Sequence, residues 1–281
     1  MNPKDIKGRA IVTGANGGMG QIFCRSLLEA GYKVAMISRP QLPPNDFYKE
    51  MVRLFGEEMV SLYRMDLSDI SSIKGVVKQL IDEAEPIDIL INNAGMMGWK
   101  PQVAVNGFEM HNMVNCFGPM FFTKSLYPLF HKGSRVVSVV SLTVWIGKIR
   151  ESFPYPSKRF NRFERYSDSK LALQLLSMRL ADEWKADNIS INTIDPGIVD
   201  TKIIQMHNNL IDYLCNLIFR PLIRTPKEGA DTGIYLALDP SVEGNTGGLY
   251  KNRRQKNIKR FIRHKDADKV WNILENMDVE R

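Results

Sequence analysis

The sequence predicts an α/β fold: a Rossmann-type doubly wound, mostly parallel seven-stranded sheet with helices on both faces. Three observations lead to it. Short buried-strand patterns alternate with helical patterns along most of the chain, a glycine-rich turn joins the first strand to the first helix, and 281 residues suffice for one well-buried domain but not for two full ones with a linker.

The first strand is read over 9–13, followed by the turn and a helix over 19–30 that stops at Gly31. The alternation continues with a strand at 34–37, a helix from 46, a strand at 60–64, a helix at 69–83 and a strand at 87–91. A long helix over 107–131 leads to a strand at 135–140, then a polar, aromatic segment, a helix over 165–186 and a strand at 189–194. The apolar stretch 203–222, interrupted by Pro221, reads as a substrate lid at about 202–225. A helix over 228–238 and a seventh strand near 248–250 close residues 1–250 as one domain, leaving 251–281 as a basic C-terminal extension with a short helix. Strands separated by helices lie parallel, and ligands gather beyond their carboxyl ends.

Composition excludes several classes. With 44% hydrophobic and 25% charged residues the chain is not globally disordered. No run approaches the roughly 20 apolar residues of a spanning helix, and no signal h-region is present, so a cytoplasmic protein is expected. Cys24, Cys116 and Cys215 lack CxxC spacing, and His111, His131, His207 and His264 are far apart, which argues against disulfides and against a bound metal. The net charge of +7 is concentrated in 251–265, which holds eight Lys/Arg and no acid. The nearly neutral remainder argues against nucleic acid as a partner.

The turn Thr13-Gly14-Ala15-Asn16-Gly17-Gly18-Met19-Gly20 puts glycines where backbone must bend sharply and approach a pyrophosphate at a helix N-terminus. Gly14, Asn16, Gly18, Met19 and Gly20 are its candidate cofactor contacts. After the second strand, Ser38-Arg39 stands where an NAD-selective protein offers an acid to the ribose. Arginine instead suits a 2′-phosphate, so NADP(H) is expected over NAD(H), against the alternative of a solvated arginine.

Tyr166 and Lys170 share a helix face at i,i+4 spacing. A tyrosine near its reference pKa of about 10 is a poor catalyst at neutral pH, and a nearby ammonium favours the phenolate. Ser141, at the carboxyl end of the fifth strand, has a hydroxyl that could steady a substrate oxygen. Asn92-Asn93-Ala94-Gly95 closes the fourth strand, and Asn115 lies within the next helix, where an amide needs a partner.

With these motifs in order from about residue 9 to 250, the chain resembles a short-chain dehydrogenase/reductase. The signature comprises Thr-Gly-x-x-x-Gly-x-Gly, Asp66-Leu67, Asn-Asn-Ala-Gly, Asn115, Ser141, Tyr166-x-x-x-Lys170 and Pro196-Gly197. Tyr166-Ser167-Asp168-Ser169-Lys170-Leu171-Ala172, the long Ser141 to Tyr166 interval and Glu228-Gly229-Ala230 make it most similar to the retinol-dehydrogenase-like branch. The resemblance implies a reaction that moves a hydride between a nicotinamide and an alcohol or carbonyl. In it Tyr166 exchanges the proton, Lys170 binds the nicotinamide ribose and lowers the Tyr166 pKa, Ser141 orients the carbonyl and Asn115 holds a relay water. It also implies that Asp66 and Leu67 border the adenine, that Asn92, Ala94 and Gly95 line the ribose side, and that Pro196, Gly197, Ile198 and Thr201 meet the nicotinamide amide and phosphates.

Departures from the family pattern are Val140 where a second serine is frequent, Asp195 where this branch often has histidine, and Gly17 where many NADP users carry a basic residue. Ile258, Phe261 and Ile262 fall on one helical face among the basic residues, a pattern that fits either peripheral contact with acidic lipid or a tail packed on the domain. Val270, Trp271, Ile273, Leu274 and Met277 read as a docked helix. The apolar lid suits a small apolar alcohol or carbonyl such as a retinoid, steroid or lipid aldehyde, and equally a subunit contact in a homo-oligomer. Against the enzyme stands a cofactor-binding sensor or scaffold with little turnover.

Overall fold

The computed structural model describes residues 6–41, 46–199, 223–258 and 264–277. Its elements follow in chain order: β1 (Gly8–Thr13), α1 (Gly18–Glu29), β2 (Tyr32–Ser38), α2 (Asp46–Phe55), β3 (Val60–Arg64), α3 (Ile70–Glu83) and β4 (Ile87–Asn92). Then come α4 (Met110–Asn112), a π-helical turn (Met113–Phe117), α5 (Gly118–Ser125), β5 (Phe130–Val139), α6 (Arg162–Glu183), β6 (Ser190–Ile194) and β7 (Ile198–Val199). The last are β8 (Ile223–Arg224), α7 (Pro226–Leu238), β9 (Leu249–Lys251), β10 (Arg254–Lys256) and α8 (His264–Asn276).

The main sheet runs in the order β3-β2-β1-β4-β5-β6-β9-β10. Its first seven strands are parallel, and β10 turns back antiparallel on β9. Period-two alternation gives each strand a residue for each face. In β1, Ile11 packs in the core layer shared with α3, α5, α6 and α8, while Ala10 and Val12 pack in the other layer with α1, α2 and α7. The strand order reverses between β1 and β4, which opens a crevice at the carboxyl ends of those strands.

Two differences from the sequence reading have physical causes. The sheet continues past residue 250, where the sequence reading closes the domain, because Asn252 and Arg253 both adopt left-handed backbone and fold 254–256 back as an eighth strand. The long helix expected over 107–131 is shorter: it passes through a π turn and ends at Ser125, and β5 already begins at Phe130, which packs on Trp184. Ile258 is buried in the core, which agrees with the reading of a tail packed on the domain. Phe261 and Ile262, and all of the expected lid except 223–225, lie outside the described residues. Among those residues no helix is long and apolar enough to cross a membrane.

Candidate active site

The glycine turn is built by contacts that leave no room for side chains. Gly14 has a φ of +66°, the Gly17 N–H donates to the Gly14 carbonyl at 3.0 Å, and a Cβ on Gly20 would lie 2.1 Å from that same oxygen. No side chain caps the N-terminus of α1, and its first turn holds no acid, so the Gly18, Met19 and Gly20 end of the helix presents positive dipole to the crevice. Asn16 Oδ1 is buried without a hydrogen-bond partner beside this turn. The arrangement fits a pyrophosphate. Met19 itself sends its sulfur against α7, where a Cβ on Gly229 would meet it at 3.1 Å.

The turn is tied to β4 by Thr13 and Asn93. Thr13 Oγ1 accepts from the N–H groups of Asn93 and Ala94, both at 3.1 Å, and Asn93 Nδ2 donates to the carbonyls of Thr13 and Gly14 at 2.9 and 3.1 Å. Asn92 points the other way, into the core, and donates to Thr123 Oγ1 at 2.9 Å. Of the two asparagines it is therefore Asn93 whose side chain shapes the crevice. Alternation at a strand end, where consecutive side chains face opposite ways, is the signal that separates them.

At the far end of the crevice Ser38 is buried, and its Oγ accepts from Arg64 Nη1 at 2.6 Å. Arg64 also donates to the Arg39 carbonyl at 3.4 Å. It ends β3, directly across from Ser38 in register, and brings a second guanidinium beside Arg39 that the sequence reading missed. Asp66 folds into a local turn: its Oδ1 accepts from Ser68 N and Oγ at 2.9 and 2.6 Å, and its own N–H donates to Ser72 Oγ at 2.9 Å. Leu67 is buried, and its carbonyl would lie 2.3 Å from a Cβ on Gly118.

Asn115, Ser141, Tyr166 and Lys170 come together beyond β4 and β5. Asn115 lies in the π turn, an irregularity that gathers at functional sites. Its Oδ1 accepts from Met96 N at 2.7 Å, and its Nδ2 donates to Met96 O at 2.9 Å and to Ser169 Oγ at 3.0 Å. Ser169 Oγ in turn donates to the Tyr166 carbonyl at 2.7 Å. A Cβ on Gly95 would meet Asn115 Oδ1 at 3.3 Å and Lys170 Nζ at 3.4 Å, so Gly95 separates the two. The Ser141 hydroxyl is near enough to the Tyr166 phenol to favour its phenolate form, and Ser141 Oγ accepts from Thr143 N at 3.3 Å.

Burial dominates the electrostatics here. It pushes the Tyr166 phenol up to about 12, with Ser141 opposing the rise and the Asp195 carboxylate adding to it. Burial also pulls the Lys170 ammonium down to about 8. The expected lowering of Tyr166 by Lys170 is not what this geometry produces. Lys170 Nζ is 5.7 Å from the centre of the Tyr166 ring and donates to the Val139 carbonyl at 2.8 Å, so Ser141 is the group that favours phenolate.

After β6, Asp195 Oδ1 accepts from Gly197 N at 2.9 Å, and Gly197 takes a φ of +80°. This fixes Pro196, Gly197 and Ile198 at the mouth of the crevice. Arg224, on β8, donates to the Pro196 carbonyl at 3.4 Å. Thr201 lies outside the described residues. Two buried networks without a sequence signal brace the loops. His111 Nδ1 faces Glu109 Oε1 at 2.7 Å while His111 Nε2 accepts from Gly98 N at 2.9 Å, and Arg150 clasps Asp168, tying the segment after Ser141 to α6.

A family model described as short chain dehydrogenase matches residues 8–210. Retinol dehydrogenase 12 of Homo sapiens is 30% identical over 266 residues, which cover 94% of this chain and 84% of that protein. Polyprenol dehydrogenase of Mus musculus is 29% identical over 249 residues, 86% of this chain and 74% of that protein. Among solved structures, a short-chain dehydrogenase/reductase from Serratia marcescens superposes with a TM-score of 0.67 at 22% identity, covering 87% of this chain and 96% of that one. A short chain dehydrogenase from Burkholderia cenocepacia in complex with NADP also superposes with a TM-score of 0.67, at 18% identity and the same two coverages. The chain belongs to the short-chain dehydrogenase/reductase family, in its retinol-dehydrogenase-like branch, and is an oxidoreductase acting on CH–OH groups with NAD(P).

Proposed function

We propose that this protein is an NADP(H)-dependent oxidoreductase that interconverts a small apolar alcohol and its carbonyl, with Tyr166 as general acid/base. The observation that carries the reading is the convergence of Asn115, Ser141, Tyr166 and Lys170 at the carboxyl ends of β4 and β5. A bound nicotinamide supplies or accepts the hydride. Tyr166 Oη gives its proton to the carbonyl oxygen, or takes it from the alcohol, and Ser141 Oγ holds that oxygen in place. With the phenol pushed up to about 12, Tyr166 holds its proton at neutral pH and can give it to a carbonyl oxygen. Lys170 and Asn115 position the ribose side and the proton path behind Tyr166.

For the cofactor, Gly14, Asn16, Gly18, Met19 and Gly20 would hold the pyrophosphate, and Ser38, Arg39 and Arg64 the 2′-phosphate. Asp66 and Leu67 would border the adenine, Ala94 and Gly95 the ribose, and Pro196, Gly197, Ile198 and Thr201 the nicotinamide end. An exposed Arg39 and, bonded to its carbonyl, the Arg64 guanidinium, with no acid at the end of β2, support NADP(H) over NAD(H). An apolar substrate is supported by the exposed side chains of Leu142 and Ile146 directly after Ser141, and by relatives whose names specify retinol and polyprenol, both apolar alcohols.

The test is to titrate NADPH and NADH into the protein and follow reduced-nicotinamide absorbance with retinoid, steroid and aliphatic carbonyls, alongside Tyr166→Phe. NADPH-selective turnover that falls about 10²- to 10⁴-fold in Tyr166→Phe is expected. Tight cofactor binding with no turnover across the panel would overturn the reading.

A further inference from the structure

Asp195 is 3% exposed, and a buried carboxylate needs a compensating partner. It has two. Oδ1 accepts from Gly197 N, and Oδ2 meets Lys251 Nζ at 2.9 Å. The pairing is set by the sheet: β6 and β9 run parallel with Ile194 opposite Tyr250, and Asp195 N donates to the Tyr250 carbonyl at 2.8 Å, so Asp195 and Lys251 are the next pair along. Lys251 is held there by the hairpin turn after it. Arg253 N–H donates to Thr232 Oγ1 at 3.2 Å, and its guanidinium pairs with Asp231, pinning the turn to α7.

Asp195 also stands within electrostatic reach of Tyr166. The charged and titratable groups around this point are Tyr166 and Lys170 from α6, Asp195 from the end of β6, Lys251 from β9 and Arg224 from β8, with the Cys116 thiol of the π turn beside Lys170.

We propose that Lys251 is a positioning residue of this active site, whose ion pair neutralises the buried Asp195 carboxylate that braces the Pro196–Gly197 turn and so sets the charge that Tyr166 experiences from it. The proposal rests on Tyr166 being the proton-exchanging group. It brings the C-terminal hairpin into the catalytic unit and gives a role to Asp195, one of the residues by which this chain departs from the family pattern. Without Lys251, Asp195 would present an uncompensated negative charge to a phenol that has to become phenolate during alcohol oxidation, and the loss would be electrostatic even where the fold is intact.

The experiment uses Lys251→Met, Lys251→Arg, Asp195→Asn and the double variant Asp195→Asn/Lys251→Met. Tyr166 is titrated directly in each background as the difference in phenolate absorbance between the protein and its Tyr166→Phe counterpart, a readout that needs no turnover. In parallel, the pH profile of kcat is recorded for alcohol oxidation. Lys251→Met is expected to move the Tyr166 midpoint and the rising limb upward by about one pH unit, slowing oxidation near neutrality about tenfold. Asp195→Asn should move both downward, Lys251→Arg should restore them, and the double variant should return close to the unmodified protein. Midpoints and profiles that stay put in Lys251→Met and Asp195→Asn would overturn the proposal, even if melting temperatures fall. Undiminished turnover in Tyr166→Phe would instead overturn the reading that it rests on.

Discussion

The side chain of Asn115 and the main chain of Met96 are hydrogen-bonded in both directions, Oδ1 accepting from Met96 N at 2.7 Å and Nδ2 donating to Met96 O at 2.9 Å. One buried amide therefore closes the loop after β4 as a neighbouring strand would. The same Nδ2 reaches Ser169, so the loop, the π turn and the helix carrying Tyr166 share one fastening.

Truncating that fastening leaves two main-chain groups unpaired. Asn115→Ala is expected to lower stability to urea by about 1–3 kcal/mol and to reduce turnover in addition. Equilibrium unfolding beside initial-rate measurements checks both. A variant as stable as the parent would show that water replaces the amide at no cost.

Lys170→Met should separate stability from activity. In the folded protein the Lys170 ammonium loses its proton at about 8, whereas unfolded it holds it to about 10.5. Between these values the unfolded state binds more protons, so raising the pH through that window stabilises the folded protein. Below it, the buried charge is a cost that methionine removes. Melting at pH 7 is expected to be no lower in Lys170→Met despite the lost bond to Val139, with the parent gaining on the variant as pH rises from 8 to 10.5 and turnover abolished throughout.

Arg39→Ala and Arg64→Ala are each expected to weaken NADP(H) binding about ten- to hundredfold, the range for a lost charge-assisted hydrogen bond, while leaving NAD(H) binding unchanged. Calorimetric titration with both cofactors distinguishes this from a general loss of the pocket, which would weaken the two alike.

Two glycine-to-alanine exchanges should differ in sign. At Gly20 the added methyl would lie 2.1 Å from the Gly14 carbonyl, so the turn must open, and both cofactor binding and stability are expected to fall. At the exposed Gly75, within α3, nothing lies within 4 Å, and alanine is expected to raise stability by about 0.5–1 kcal/mol. Melting curves of the two variants read the contrast.

What could be read from the sequence was what is local along the chain. β3 falls on the expected residues, and α3 begins one residue later than expected, because period-two and period-3.6 patterns are written in consecutive positions. Helical spacing puts Tyr166 and Lys170 on one face, and the ordered motifs around them single the pair out. What escaped depends on neighbours across the sheet. Arg64 gains its place only from the register of β2 with β3, and Lys251 only from that of β6 with β9. The π turn leaves no periodic trace beyond the asparagine that it carries. The Glu109–His111 brace is legible only once Gly98 is known to lie over the imidazole. The basic residues after Tyr250 read as a tail because composition does not report a hairpin, although Asn252 and Arg253 fold one.

Among the described residues, that hairpin leaves β10 as the outermost strand of the sheet. Its three residues, Arg254, Gln255 and Lys256, are all exposed, and two of them are cationic. Two molecules approaching edge to edge would bring like charges together across a shared strand spacing of about 4.8 Å. Edge-to-edge pairing of two copies through these residues would carry a charge penalty, one that salt would dial down.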